Sequence, residues 1–312
     1  MNTTMQMLFY PAANVGATDG EGLLAEAESI VHLSEATFSR FRLDSELTAL
    51  NQAAGQWCSL STTMAEVLGL ARDMQTETGG IFDPGILPRL EYAGYDSSFE
   101  TLPAERLLSQ TERPATSGLA EVEFENPFRV RLPRGCRLDL GGMVKGWTAD
   151  RAADSLAPHG AAMVDLGGDI ALRGSLPDGS PWHIGVERPD APGELLAVLE
   201  LAGGGVATSS VNRRRWRTSH GWMHHLIDPR TGRPASTDLC QVTALATRTT
   251  YADVWAKTAL IAGLDACRRA ATSRPEVSWL LIRADGGIAK TPGVTLCQGQ
   301  CGGDTPSLAY QA

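Results

Sequence analysis

The chain has 312 residues, of which 43% are hydrophobic and 20% charged, and a net charge of −9. These are the proportions of a globular protein of one large or two ordinary domains, long enough to bury a sizeable core. The acidic balance excludes a general nucleic-acid binder, which needs a basic face. No run of about 18 apolar residues marks a membrane-spanning helix.

The first ten residues lack the charged n-region and apolar h-region of a signal peptide, which predicts a cytoplasmic protein. Residues 21–37 place Leu23, Leu24, Ala27, Ile30, Val31 and Leu33 on one helical face. A short helix capped by Asp44 or Ser45 follows over 44–51, then a helix over 61–78 stopped by Gly79-Gly80. Asp83-Pro84-Gly85 is a turn. Short strands are predicted at 122–124 and 130–132. Gly141-Gly142 then opens a helix over Val144–Leu156. Strands follow at 162–166, 170–174, 182–187, 196–201 and 241–246, a helix at 252–271 and a last strand at 277–282. With strands clustered in the second half and few helical crossovers, the expected fold is α+β with a largely antiparallel sheet core and flanking helices.

Three patterns carry chemistry. Residues 224–234 read His-His-Leu-Ile-Asp-Pro-Arg-Thr-Gly-Arg-Pro. Two prolines and a glycine stiffen this backbone, which displays a His, an Asp and a Thr. It is either a site or a tight turn capping a hairpin. Two glycine pairs follow strand-like segments, at Gly141-Gly142 and Gly167-Gly168. Neither matches a dinucleotide or Walker fingerprint. Asp139, Lys145 and Asp169 beside them suit a nucleotide with a metal. Arg213-Arg214-Arg215-Trp216-Arg217 is either a solvated strand edge or a phosphate contact. The six cysteines are scattered, as in a reducing compartment. Cys297-Gln-Gly-Gln-Cys301 could bind a metal or form a disulfide, but it has no second Cys or His pair nearby to complete a zinc site and is read as incidental.

Taken in order, these segments resemble the ApbE family of FAD:protein FMN transferases. Residues 38–47 (Phe-Ser-Arg-Phe-Arg-Leu-Asp-Ser-Glu-Leu) look like its N-terminal flavin-site segment, and 78–84 like its T-G-G-x-F-D-P stretch. Residues 139–150 resemble D-L-G-G-x-x-K-G-x-x-x-D, and Gly167-Gly168-Asp169 the G-G-D that follows. Thr208-Ser209 resembles T-S-G, with Ser210 for the glycine. Residues 225–232 match H-x-I-D-P-x-T-G, and Ala252-Asp253 the start of a metal-site helix. The resemblance implies one ApbE/T-fold-like transferase domain over residues 1–312. Its activity moves FMN from FAD onto a Ser or Thr hydroxyl of an acceptor protein, of the kind found in membrane redox complexes, and releases AMP. It implies that Phe41, Ile81, Phe82 and Asp83 line the FAD site, with Asp139, Lys145, Asp169, Thr208 and Ile227. The Gly142 carbonyl and the Asp253 carboxylate would hold Mg²⁺. His225 would be the residue on which activity most depends, and the acceptor's proton would go to His225 or Asp253.

One departure stands out. Family members commonly have Thr four positions after the helix Asp, where this chain has Lys257, and Ala256 precedes it. An ammonium offers no oxygen to a hard cation. It either replaces a metal charge, yields its place to Thr258, or marks loss of transfer, leaving an FAD-binding or FAD-hydrolysing protein. A non-enzymatic partner of a redox complex is the remaining class.

Overall fold

Of the strands predicted after residue 160, those at 162–166, 170–174, 241–246 and 277–282 join one sheet, and those at 182–187 and 196–201 form a separate hairpin, in the computed structural model, which describes residues 3–102, 105–106, 118–219 and 221–297. The described chain divides into two compact units, each assembled from separated segments. The first comprises Leu33–Val144 and Arg213–Ser236; the second comprises Thr3–His32, Lys145–Asn212 and the chain from Thr237 onward.

Helix α1, Ala17–Phe38, carries the chain across the boundary at His32. In the first unit, α2 (Glu46–Gln52) and α3 (Thr62–Glu77) begin at serine caps. Ser45 accepts from the Thr48 N–H and Ser61 from the Met64 N–H, each satisfying a donor the helix cannot. Helix α4 is Leu87–Tyr92. The unit's sheets are small. Arg129–Arg131 pairs with Trp57–Ser59 and with Glu123–Asn126. Arg215–Thr218 pairs antiparallel with Gly221–His224 and parallel with Glu105–Arg106. Leu90, Ala93, Tyr95, Trp216 and Ile227 pack into one buried cluster.

The second unit holds a seven-stranded antiparallel sheet. Its order is Met5–Pro11, Gly160–Leu166, Asp169–Arg173, Gly204–Ser210, Leu239–Ala246, Ser278–Arg283 and Ile288–Lys290. One face is covered by the hairpin of Trp182–Glu187 and Leu195–Leu201. Its inward residues Trp182, Ile184, Val186, Ala197 and Leu199 pack with Met163, Ile170, Leu172, Val206 and Leu280. Besides the Ala17–His32 part of α1, the described residues of this unit form α5 (Val144–Leu156), which begins at its boundary, α6 (Thr249–Ala262) and α7 (Leu264–Ser273). α6 packs on the two central strands.

The α+β, largely antiparallel expectation holds. The helix predicted over 252–271 is instead two. Gly263 between them has φ +86°, a left-handed conformation that a side chain would strain, and Asp238 accepts the first N–H of the next helix, at Leu264, at 3.0 Å. The strand Gly204–Ser210 was not predicted, because Gly-Gly-Val-Ala-Thr-Ser-Ser shows no apolar alternation. A Cβ on Gly205 would collide with the backbone at Thr249, so the close packing of α6 on this strand requires the residue that hides it.

Candidate active site

In the first unit, the chemistry gathers around Arg40. Its guanidinium lies 2.9 Å from Asp139 and donates to the Tyr95 carbonyl at 3.0 Å. It also stacks over the Phe41 ring at 4.0 Å and the Tyr95 ring at 4.7 Å. Phe41 itself is 40% exposed, an aromatic face open to a planar ligand. Asp139 is held from both sides: its N–H donates to Pro84, and Asn51 clamps the preceding residue, accepting from the Leu138 N–H at 2.7 Å and donating to its carbonyl at 2.9 Å. Phe82 and Ile227 are buried and Ile81 half-buried. Asp83 is engaged structurally. One of its oxygens accepts from the N–H groups of Gly85 and Leu119.

The stiff turn is a hairpin turn and a display at once. Ile227–Asp228 pairs with Arg233–Pro234. The Asp228 carbonyl accepts from Gly232 N–H, and its carboxylate takes the Arg230 N–H and guanidinium. Burial pulls the Asp228 carboxyl upward, but these donors outweigh it and hold it below the usual range. A Cβ on Gly232, at φ +64°, would meet the guanidinium of Arg89, which donates to the Pro229 carbonyl at 2.7 Å. The two adjacent histidines separate in role. Burial lowers the pKa of His224. Its Nδ1 accepts from the Leu226 N–H at 3.3 Å and its Nε2 faces the Ala235 carbonyl at 3.0 Å, which makes it a neutral Nε2–H strut. His225 is half-buried beside it, and its main-chain N–H is held by Arg214. The arginine run is not a strand edge: Arg215–Thr218 is the middle strand of its small sheet, Trp216 is buried and donates to the Ala93 carbonyl, and Arg215 lies over the ring of Trp222.

In the second unit, four charges meet at the sheet and α6. Lys145 pairs with Asp169, and Lys257 pairs with Asp253. Lys257 also donates to the Asp253 main-chain carbonyl at 2.7 Å. Asp169 is 2% exposed and Asp253 is 4% exposed. Burial, then the charge of Asp253, push the Asp169 carboxyl up to about 6 against the two ammoniums. The second carboxylate oxygen of Asp253, Oδ2, is buried with no hydrogen-bond partner among the described residues. A buried carboxylate oxygen without a donor is costly unless a ligand or a transferred proton completes it.

The last Asp of the 139–150 signature is structural. Asp150 is fully buried, and its carboxylate accepts from the N–H groups of Thr249 and Thr250 and from the Thr250 hydroxyl, capping α6 from another element, while Arg173 balances its charge. Gly146 lets α5 reach that helix start, because its Cβ would lie 2.7 Å from the Thr249 carbonyl. Asp150, Arg173, Arg40 and Asn51 all escaped the sequence reading. Asp150 left a trace there as a fixed spacing, and Arg40 as an unassigned member of the 38–47 segment. Gly167-Gly168 forms a hairpin turn with both φ values positive. Thr208 lies opposite Thr243, their hydroxyls 2.8 Å apart. Gly142 sits in the turn before α5. Cys301 lies outside the described residues.

Residues 1–281 match the ApbE family, and the chain belongs to it. It is 30% identical over 301 residues to the FAD:protein FMN transferase of Treponema pallidum, covering 91% of this chain and 82% of that one. It is 29% identical to the protein of the same name from Haemophilus influenzae, covering 92% and 86%. Among solved structures it resembles the flavin transferase ApbE of Vibrio cholerae, with TM-score 0.76, 25% identity and coverage of 96% and 94%. The ApbE protein of Thermotoga maritima shares the fold, with TM-score 0.78 at 23% identity over 92% of this chain and 96% of that one.

Proposed function

We propose that this chain transfers FMN from FAD to a Ser or Thr hydroxyl of an acceptor protein and releases AMP. The relatives' shared name supports the reading, and one observation carries it at the level of atoms: the open oxygen of Asp253 within a buried set of two carboxylates and two ammoniums. The acceptor oxygen attacks the FMN-side phosphorus, and the bond from that phosphorus to the bridging oxygen breaks. AMP departs with the bridging oxygen. The hydroxyl proton goes to Asp253 Oδ2, the carboxylate oxygen not already committed to Lys257. Lys145 and Lys257 offset the charge that grows on phosphate oxygens. Phe41 offers its exposed ring to the isoalloxazine or adenine, with Ile81, Phe82 and Ile227 as apolar support and Asp139 as a fixed acceptor. His225 is the other candidate base. His224 is not one, since both its ring nitrogens are engaged.

The residues suit Mg²⁺ poorly at this helix. A magnesium ion wants near-octahedral oxygen, yet Oδ1 and the main-chain carbonyl of Asp253 already accept from an ammonium, and residue 256 is Ala. Thr258, five positions on, lies about 140° around the helix and cannot substitute. We read Lys257 as a built-in cation in place of a metal held by Asp253 and Gly142.

The family match spans segments of both units, which supports reading residues 1–312 as one functional domain. No helix among the described residues is long and apolar enough to cross a membrane. The five described cysteines are all free, as in a reducing compartment, which supports action in the cytoplasm. The test is incubation with FAD and a hydroxyl-bearing acceptor peptide, with and without Mg²⁺. AMP release matched by peptide flavinylation is expected. AMP without labelled peptide would make the protein a hydrolase, and intact FAD under every condition would overturn the enzymatic reading.

A further inference from the structure

The hairpin Trp182–Glu187 and Leu195–Leu201 alternates strictly. Trp182, Ile184, Val186, Ala197 and Leu199 face the core, which sends His183 and Glu200 to the opposite side. In the antiparallel register His183 lies directly across from Glu200. The chain then returns along the free edge of this hairpin near its described end. Glu200 N–H donates to the Thr295 carbonyl at 3.0 Å, Leu199 bridges Leu296, and Cys297 N–H donates to the Val198 carbonyl at 2.9 Å. This third run delivers the Cys297 thiol to 4.0 Å from Glu200 Oε2. One imidazole nitrogen, one carboxylate oxygen and one sulfur thereby come within 4.8 Å of one another.

We propose that His183, Glu200 and Cys297 bind one Zn²⁺ ion, which clamps the 294–297 run onto the hairpin. Cross-strand pairing accounts for a His opposite a Glu, but not for a thiol brought to the same point from a segment almost a hundred positions away in sequence. The donor set is the informative part. Nitrogen, sulfur and a single carboxylate select a borderline cation such as Zn²⁺ and not Mg²⁺ or Ca²⁺, which want oxygen alone. Zinc bonds of about 2.0 Å to N or O and about 2.3 Å to S put tetrahedral ligands roughly 3.3–3.8 Å apart. Side-chain rotation covers the remaining gap. Binding displaces the thiol proton to solvent and leaves a fourth position for water. The site is separate from Asp169, Asp253 and their lysines, so it stands or falls independently of the flavin reading.

The test uses the full-length chain, reduced and stripped with a chelator, then titrated with Zn²⁺ and separately with Co²⁺. One ion per chain at micromolar concentration is expected, with a thiolate-to-cobalt charge-transfer band and a rise in thermal stability on adding Zn²⁺. Cys297→Ser should abolish the band, while His183→Gln and Glu200→Gln should each weaken binding about tenfold or more. Cys301→Ser should leave it intact. Binding of less than one ion per chain, a band that survives Cys297→Ser, or a band lost in Cys301→Ser alone would each overturn the assignment.

Discussion

Lys257→Met tests whether the Lys257–Asp253 pair is a buried charge balance or an ordinary helical i,i+4 pair. Methionine keeps the aliphatic stem and removes the ammonium. The side chains are only 14% and 6% exposed, so the lost charge is not replaced by water. What remains among the described residues is two buried carboxylates, Asp253 and Asp169, with Lys145 paired to Asp169. Removing one partner of a buried pair costs about 3 kcal/mol or more, whereas an exposed i,i+4 pair contributes only about 0.3–0.5 kcal/mol. The two readings are separated by more than the error of a denaturation curve. Chemical unfolding followed by circular dichroism should show the larger loss. Adding Asp253→Asn to Lys257→Met should recover more than half of it, since the stranded charge is then gone. A Lys257→Met protein within about 0.5 kcal/mol of the parent would refute the charge-balance reading. The functional counterpart is Lys257→Thr, which exchanges the ammonium for a hydroxyl oxygen. FAD turnover in that variant should become more dependent on Mg²⁺, and an unchanged metal response would sink the view that Lys257 stands in for the ion.

Three further outcomes are expected. His225→Ala should reduce acceptor flavinylation by about a hundredfold or more while leaving the circular dichroism spectrum unchanged; near-parental transfer would remove His225 from the chemistry. Asn51→Ala strands the buried N–H and carbonyl of Leu138 and should cost about 2–3 kcal/mol in unfolding free energy; a loss below about 0.5 kcal/mol would mean the Asp139 segment does not depend on this clamp. The Asp169 carboxyl is raised from 3.8 to about 6, so between those two pH values the folded chain holds a proton that the unfolded chain has released. Its contribution to stability is therefore fullest below 3.8 and declines as pH rises through about 6. Asp169→Asn should flatten the stability profile across that window, and an unaltered slope would argue against the shift.

Much of the fold was legible because its signals are local. The capped helix at Asp44 or Ser45, the helix beginning near Ser61, the helix after Gly141-Gly142 and the apolar strand at 162–166 announce themselves within a few residues. The 224–234 turn was legible as something stiff, and the structure shows why: Gly232 must admit the Arg89 guanidinium that ties down Pro229.

The rest depended on partners distant in sequence. Sequence cannot tell which of two adjacent histidines is a strut; that was settled by the Ala235 carbonyl and Leu226 N–H facing the ring of His224. It cannot show that Asp150 caps a helix a hundred positions away, or that Gly205 keeps a central strand open to α6. Local backbone preference and hydrophobic periodicity determined which elements form and which motifs they carry. Tertiary packing alone decided which polar atoms were already satisfied and which, like Asp253 Oδ2, were left open, because burial and hydrogen-bond partners are properties of neighbours brought together by the fold.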